Sequence, residues 1–252
     1  MAGDLKLMDK SLFYNAAAAG KWFDCSVNGE PLATYGGSAL LDYSIGETPV
    51  APDTFQGVNR TSWNLLENMF HLRDITLTVV FEAHDLRTAK LNRSALNGVL
   101  FNRADLYIPD DGFHYDVICT SMGAEELVGI GFNSAQIKST YTFKGVRRDE
   151  LKTLTVASGE TFYCNSTMPF TDCRLTETVG SSASSYTLGG AIFGSVTAGD
   201  VLVFDGIDGK ITKNGINCAA SVSWFHFPQL TPGANTITCA DTVTVEYYPT
   251  YI

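Results

Sequence analysis

Two Asp-Gly pairs and one Asn-Gly pair stand close together in the stretch FDGIDGKITKNGINC, at positions 204–218. Such a density of oxygen-bearing side chains could form a calcium-binding loop. A loop of the EF-hand type that starts at Asp205 needs oxygen ligands at its third, fifth and twelfth positions. Those positions hold Ile207, Gly209 and Ile216, so the spacing does not fit this kind of metal site. We predict no metal and no other cofactor for the chain.

The same pairs suit tight turns between short strands. Asp-Gly and Asn-Gly are the pairs that two-residue type I′ turns prefer, because both central positions take positive φ. Asp208-Gly209 lies between VFDGI and KITKN, and Asn214-Gly215 follows directly. We therefore predict two hairpins in series, in which the acidic residues act as turn formers.

The sequence contains no catalytic motif. Its four histidines are scattered, and H-E-x-x-H, G-x-S-x-G and a Gly-rich phosphate loop are all missing. The six cysteines match no zinc or redox spacing, so we interpret them as buried thiols. A pair of carboxylates from distant strands, as in a glycosidase, stays open at this point. We predict that the protein is not an enzyme and has no catalytic residues.

Sugar binding by ring stacking is a second chemical possibility. The stretch VSWFHFPQLTPGANTITC contains Trp224, His226 and Asn235, which are residue types that sugar sites use. The alternative interpretation is structural: the aromatic residues close one end of a β-sandwich, and TPGAN turns into the last long strand. We favour the structural interpretation and keep the three residues as candidate sugar contacts.

The elements that carry these residues are mostly strands. In the first part of the chain, ITLTVVFEA (75–83) and AQIKSTYTFKG (135–145) alternate apolar and polar residues, as half-buried strands do. Between them, HDLRTAKLNRSALNGVLF (84–101) has helical spacing, with Asp85 as N-cap. The stretch DLYIPDDGFHYDVICT (105–120) predicts a hairpin around Pro-Asp-Asp-Gly.

The composition changes near residue 148. Thirteen basic and seventeen acidic residues precede this point, against four and ten after it. The second part shows no helical period, and its short β-rich runs are separated by Gly, Pro, Ser and Asn at intervals typical of a sandwich or jelly roll. We predict two domains, residues 1–148 and 149–252.

The charge and hydropathy of the chain limit its partners. The net charge is −10, which does not favour binding to a phosphate backbone. No apolar run approaches the roughly 20 residues of a membrane span, so we expect no membrane partner. The N-terminal segment does not have the pattern of a signal peptide, and we expect synthesis in the cytoplasm.

Taken in order, these stretches resemble the distal tail protein (Dit) family of long-tailed, siphovirus-type bacteriophages. In the first part the similar stretches are LLDYSIGETPV, FQGVNRT, HLRDITLTVVFEA and DLYIPDDGFHYDVICTS. In the second part they are AGDVLVFDGIDGKITKNGINC, FPQLTPGANTIT and VTVEYYPTYI. The resemblance implies a mainly β fold: an N-terminal tail-tube-like β domain with one α-helix, followed by a C-terminal galectin-like β-sandwich.

The resemblance also implies a structural role in the virion, at the tail tip or baseplate, for a protein made in the host bacterial cytoplasm. Dit proteins form a hexameric ring that joins the tail tube to the tip and host-adhesion apparatus. The implied partners are further copies of the chain, the major tail or tube protein, the tape measure protein, and a tail-associated lysin, fibre or baseplate protein. DNA would pass through the open channel without being bound, and acidic side chains in the channel would repel it.

Two sets of site residues follow from these interpretations. The hairpin after the helix is a candidate ring interface, through Tyr107, Ile108, Phe113 and Tyr115. The alternative function is a carbohydrate-binding, lectin-like sandwich fused to an oligomerisation domain, with the sugar contacts named above.

Overall fold

The computed structural model describes residues 25–37, 39–56, 63–131 and 133–252. The N-terminal segment and most of FQGVNRT, which the sequence analysis used, lie outside these ranges. The chain divides into two compact units between Arg147 and Arg148. In its described part it is mainly β-structure with one α-helix, as the sequence predicted. None of the described helices is long and apolar enough to cross a membrane.

The N-terminal unit is built on one large antiparallel sheet. Its described elements are β1 (Ser26–Val27), β2 (Glu30–Pro31), β3 (Ala39–Ile45), β4 (Val50–Gln56), β5 (Trp63–Phe70), β6 (Arg73–Ala83), α1 (Leu86–Leu100), β7 (Ala104–Ile108), β8 (Phe113–Met122), β9 (Glu126–Gly131) and β10 (Ser134–Arg148). The sheet has the order β2-β1-β7-β8-β10-β6-β3, with β9 also paired to β10, while β4 and β5 form a separate hairpin. A short 3-10 helix covers Leu32–Tyr35.

The two long central strands confirm the alternation read from the sequence. Strands β6 and β10 pair over eleven residues each, from Ala83 opposite Ala135 to Arg73 opposite Gly145. Every second side chain of each strand enters the core, including Leu77 and Tyr141. The core of this unit therefore lies on one face of the sheet, under the helix.

Helix α1 begins where the sequence places it. The Asp85 side chain accepts a hydrogen bond of 2.8 Å from the Thr88 backbone N–H, which is the geometry of an N-cap. The buried face carries small and branched side chains, and two polar contacts fix the helix to β10. Arg93 donates to Ser139 Oγ at 2.7 Å, and the Tyr141 hydroxyl donates to Asn97 at 2.8 Å.

The C-terminal unit contains strands with one short 3-10 helix, Ala219–Ser221, in its described residues. The strands are β11 (Lys152–Ala157), β12 (Thr161–Cys164), β13 (Thr171–Thr178), β14 (Tyr186–Leu188), β15 (Ala191–Phe193), β16 (Val201–Asp205), β17 (Lys210–Lys213), β18 (Ile216–Asn217), β19 (Gln229–Leu230), β20 (Gly233–Thr236), β21 (Thr242–Tyr247) and β22 (Thr250–Tyr251). The main sheet has the order β11-β21-β13-β16-β17-β18, and β12-β20 and β14-β15 form smaller sheets. All the sheets of this unit share one apolar core.

One of the two predicted type I′ turns is present and the other is wrong. Asn214 and Gly215 both have positive φ, 53° and 77°, and link paired neighbours of β17 and β18 as predicted. The β16–β17 connection is instead a four-residue loop, because Asp205 pairs with Lys210 and only Gly209 takes positive φ. The Asp205 side chain holds that loop, accepting the N–H groups of residues 207 and 208.

Candidate functional site

The predicted interface hairpin exists and has the predicted turn. The carbonyl of Ile108 accepts the N–H groups of Asp111 and Gly112, at 3.1 and 2.9 Å. Gly112 closes the turn with a φ of 75°, a backbone region that glycine enters without strain. Strands β7 and β8 are therefore joined tightly, with Tyr107 opposite His114.

The four residues predicted at the hairpin do not share one surface. Ile108 and Tyr115 have no exposed area and belong to the core of the unit. Phe113 is half-buried and packs against the same core, and Tyr107 is also half-buried. Only Tyr107 and Phe113 could touch another subunit, while the other two would shape the hairpin from below. The role of the hairpin at an interface stays a prediction.

Polar contacts stiffen this hairpin. The buried Tyr115 hydroxyl donates to Asp111 and accepts from Arg147 Nε at 3.1 Å. Burial, followed by the hydrogen bond to Asp111, raises the pKa of Tyr115 to about 12, so the phenol is neutral at physiological pH. On the other face, the rings of Tyr107 and His114 are 4.7 Å apart. The hairpin is thus held by polar contacts on one face and by a ring contact on the other.

Strand β9 exposes an apolar surface that the sequence pattern did not predict. A bulge leaves Val128 without a partner on β10, so Leu127 lies opposite Ile137 and Ile130 lies opposite Ala135. Residues opposite each other share a face of the sheet, and Ile137 and Ala135 are 1% exposed. Yet Leu127 and Ile130 are 55% and 64% exposed. The core face of the sheet therefore continues onto β9, where nothing in the described residues covers it.

Three strands of this sheet pair with a single neighbour in the part of the chain that the structure describes. Strand β9 pairs only with β10, β3 only with β6, and β2, at the far end of the strand order, only with β1. Strands β9 and β3 lie on opposite sides of the β10–β6 pair. Strand β3 is seven residues long and directs Leu40 to the core. Each edge presents backbone N–H and C=O groups without a strand partner, which is a template for adding a strand.

In the C-terminal unit, Arg174 on β13 neutralises the acidic residues of the opening stretch. Its Nε donates to Asp205 at 2.7 Å, and its terminal nitrogens lie 3.2 Å from Asp208 and 3.5 Å from Glu246. The side chain of Asp205 is only 4% exposed. The hydrogen bond that Arg174 donates to Asp205 raises the pKa of Arg174 above its usual value. These carboxylates are therefore engaged in an ion-pair network in addition to forming turns.

The three candidate sugar contacts are only partly brought together. His226 and Asn235 line one cavity of about 240 Å³, whose wall also contains Leu175, Leu230 and Ile237. Asn235 is occupied within its own turn: its amide donates to the carbonyls of residues 231 and 233 and accepts the N–H of residue 231.

Trp224 does not line this cavity. Its ring packs on Phe227, with centroids 4.6 Å apart. The next residue, Phe225, is 96% exposed. The aromatic part of the predicted sugar site therefore lies apart from its polar part.

The fold as a whole is similar to those of phage tail proteins. It matches the SPP1 Dit (gp 19.1) protein, described as a paradigm of the hub adsorption apparatus in phages that infect Gram-positive bacteria, with a TM-score of 0.64 and 12% identity. That match covers 91% of this chain and 99% of the SPP1 chain. A chain of the phage p2 baseplate in its activated conformation with Sr matches with a TM-score of 0.53 and 8% identity, over 90% and 97% of the two chains.

The sequence of the C-terminal unit matches one family model. Residues 165–251 match the SPP1 Dit family model, described as a siphovirus-type tail component, C-terminal domain. The resemblance to the distal tail protein family is thereby confirmed, by sequence in the C-terminal unit and by fold across most of the chain. No curated protein is significantly similar in sequence.

Proposed function

We propose that this protein is a structural hub of a siphovirus-type tail, located at the tail tip or baseplate of the virion. Copies of the chain form a ring that joins the tail tube to the host-adhesion apparatus. The family match of the C-terminal unit and the similarity of the fold to SPP1 Dit support this role. The proposal assigns the protein no enzymatic activity.

The free edges of β9 and β3 in the N-terminal sheet are the observation on which the proposed ring rests. The two strands lie on opposite sides of the β10–β6 pair, so the β9 edge of one copy can pair with the β3 edge of the next copy only in a head-to-tail manner. Head-to-tail contacts generate closed rings when the rotation closes. The same contact would cover Leu127 and Ile130, which no described residue covers on the core face.

The stoichiometry, the channel and the docking partners of the proposed ring are based on the resemblance to the Dit family. We take the ring to be a hexamer with an open channel through which DNA passes without being bound. The C-terminal unit, as a galectin-like sandwich, would dock the lysin, fibre or baseplate partners, while the tube and tape measure proteins would meet the ring itself. The net charge of −10 agrees with a channel that repels DNA.

The assembly can be tested by native mass spectrometry and negative-stain imaging of the purified chain. We expect a ring with an open centre for the wild type. The double variant Leu127→Lys, Ile130→Lys places charges on the β9 edge and should release monomers, because charged edges resist strand addition. Leu91→Lys is the matched control, since Leu91 is 58% exposed on α1. A ring that survives the double variant would refute the β9 contact, and a wild-type monomer would refute the ring.

A carbohydrate-binding sandwich is the second candidate function, and one observation favours it. His226 and Asn235 line the same cavity, which is large enough for a monosaccharide. Glycan-array binding by the wild type, lost in Trp224→Ala or His226→Ala, would support it. The saturated hydrogen bonds of Asn235 argue for the structural role of this turn, so we expect no glycan binding at this cavity.

A further inference from the structure

A second cavity of the C-terminal unit has a hydroxyl-rich wall that contains one carboxylate. It has a volume of about 370 Å³ and is formed by residues 181–187 and 238–241. The lining residues are Ser181, Ser182, Ala183, Ser185, Tyr186, Thr187, Thr238, Cys239, Ala240 and Asp241. No basic residue is among them, and the exposed Asp241 supplies a carboxylate at the wall.

A second carboxylate lies directly behind this wall. Glu177 on β13 is 1% exposed, and its Oε1 accepts hydrogen bonds from the Tyr186 hydroxyl and from the N–H groups of Ala240 and Asp241, at 2.9, 3.1 and 2.9 Å. All three donors belong to residues that line the cavity. The carboxyl group of Glu177 therefore ends at the cavity wall, held by the groups that form it.

The other oxygen of Glu177 is left without a partner. Its Oε2 is buried and has no hydrogen bond within the described residues. Buried polar atoms are nearly always satisfied, and an exception calls for a specific explanation. Burial and the hydrogen bond to Glu177 also raise the pKa of Tyr186, which keeps this hydroxyl a donor.

Arg174 and Lys213, two of the basic residues of this unit, form ion pairs elsewhere. Arg174 is bound to Asp205 and its neighbours, and Lys213 lies 2.8 Å from Asp200. No described ion pair includes Glu177 or Asp241. The two carboxylates at the cavity thus have no countercharge within the residues that the structure describes.

We propose that this cavity binds the guanidinium group of an arginine presented by another protein. A guanidinium carries five N–H donors in a planar fork and matches carboxylates and hydroxyl oxygens better than a compact ammonium does. Asp241 and the serine hydroxyls contact it directly, and Glu177 contributes its charge from behind Tyr186. Arginine is also enriched at protein interfaces, whereas a hydroxyl-rich neutral sugar would leave both charges uncompensated.

The proposal can be tested with N-acetyl-arginine amide as the probe and the full-length protein as the receptor. Saturation-transfer NMR reports binding of a small probe even to a large ring, so assembly does not interfere. We expect binding in the millimolar range or tighter, observable below about 10 mM. N-acetyl-citrulline amide, which has nearly the same shape without the charge, should give no signal. The lining residues all lie within one unit, so the result does not depend on the ring.

Two variants separate charge from folding. Asp241→Asn removes the exposed charge, and Glu177→Gln removes the buried charge while keeping an acceptor for the three donors. Each should weaken probe binding at least about fivefold, since charge-assisted hydrogen bonds are roughly twice as strong as neutral ones. Glu150→Gln removes an exposed charge that does not line the cavity and should leave binding unchanged. Circular dichroism verifies the fold of each variant.

Four results would overturn the proposal. The first is absence of binding by the wild type at about 10 mM probe. The second is equal binding of the citrulline probe, which would show that charge plays no part. The third is unchanged binding in a folded Asp241→Asn variant. Equal saturation transfer to glucose would also overturn it and would assign the cavity to neutral polyols.

Discussion

Replacing Arg174 by methionine should destabilise the C-terminal unit strongly. Arg174→Met leaves Asp205, whose side chain is 4% exposed, without its countercharge, although the two backbone N–H groups remain. Removing one partner of a buried pair costs about 3–5 kcal/mol. Because the arginine side chain itself is 29% exposed, we expect about 2–3 kcal/mol. For a unit of about a hundred residues, this lowers the melting temperature by about 10–20 °C. Calorimetry of the full-length chain measures this decrease in melting temperature.

Lys210→Met is the matched control for this substitution. Lys210 contacts the same oxygen of Asp208 as Arg174 does, at 3.3 Å, but both groups of the lysine pair are well exposed, at 60% and 44%. Such a surface pair contributes less than about 1 kcal/mol. In an Asp205→Asn background, the destabilisation caused by Arg174→Met should be smaller by at least about 1 kcal/mol. Equal shifts for the two methionine variants, or full additivity with Asp205→Asn, would refute the buried-pair explanation.

Three further outcomes follow from the local contacts. Asn214→Ala places alanine at a φ of 53° and removes the side-chain hydrogen bond to Asp200. It should cost about 1–2 kcal/mol of stability, measured by thermal unfolding, and Asn214→Gly should recover the part of this loss that comes from backbone strain. Hydrogen bonds, first from Lys213, lower the pKa of Asp200 from 3.8 to about 2. The stability that these hydrogen bonds contribute is complete above the pKa of Asp200 in the unfolded chain and is lost as the pH falls from about 4 toward 2. The melting temperatures of wild type and Asp200→Asn, plotted against pH, should therefore converge in this range; parallel plots would contradict this. Asp85→Ala should lower the melting temperature through loss of the N-cap, and Asp85→Ser should recover most of the loss; equal losses would show that the bond to Thr88 is unimportant.

The features that the sequence predicted correctly depend on neighbouring residues. Helix α1 has its N-cap and its apolar spacing within one segment, and the turn after Ile108 has its Pro and Gly in place. The Asn214-Gly215 turn likewise needs only two residues with positive φ. Local preferences decide such elements because no distant group competes with them.

The β16–β17 turn was predicted wrongly because a distant residue decides it. Asp205 lies at the end of β16, where its side chain can accept two backbone N–H groups and one donor from Arg174, on a strand that precedes it by about thirty residues. These contacts stabilise a four-residue loop over the two-residue turn that Asp208-Gly209 prefers in isolation. A sequence pattern contains no information on that pairing.

The exposed edge at β9 was hidden from the sequence for a geometric reason. Residues three apart in a regular strand point to opposite faces, so Leu127 and Ile130 do not form a pattern. The bulge at Val128 brings both onto the core face, and only the register with β10 reveals it. The opposite holds for the hairpin. Ile108 and Tyr115 are predicted interface residues, and both lie in the core.

The shortage of basic residues after position 148 connects the two electrostatic features of the C-terminal unit. Four basic residues stand against ten acidic ones there. Arg174 alone contacts three carboxylates, and Lys213 contacts a fourth. Carboxylates beyond the reach of these side chains are exposed to water or held by hydrogen-bond donors within the chain. Asp241 is exposed and Glu177 is not, so the buried carboxylate at the cavity is the place where a cation from a partner would contribute most.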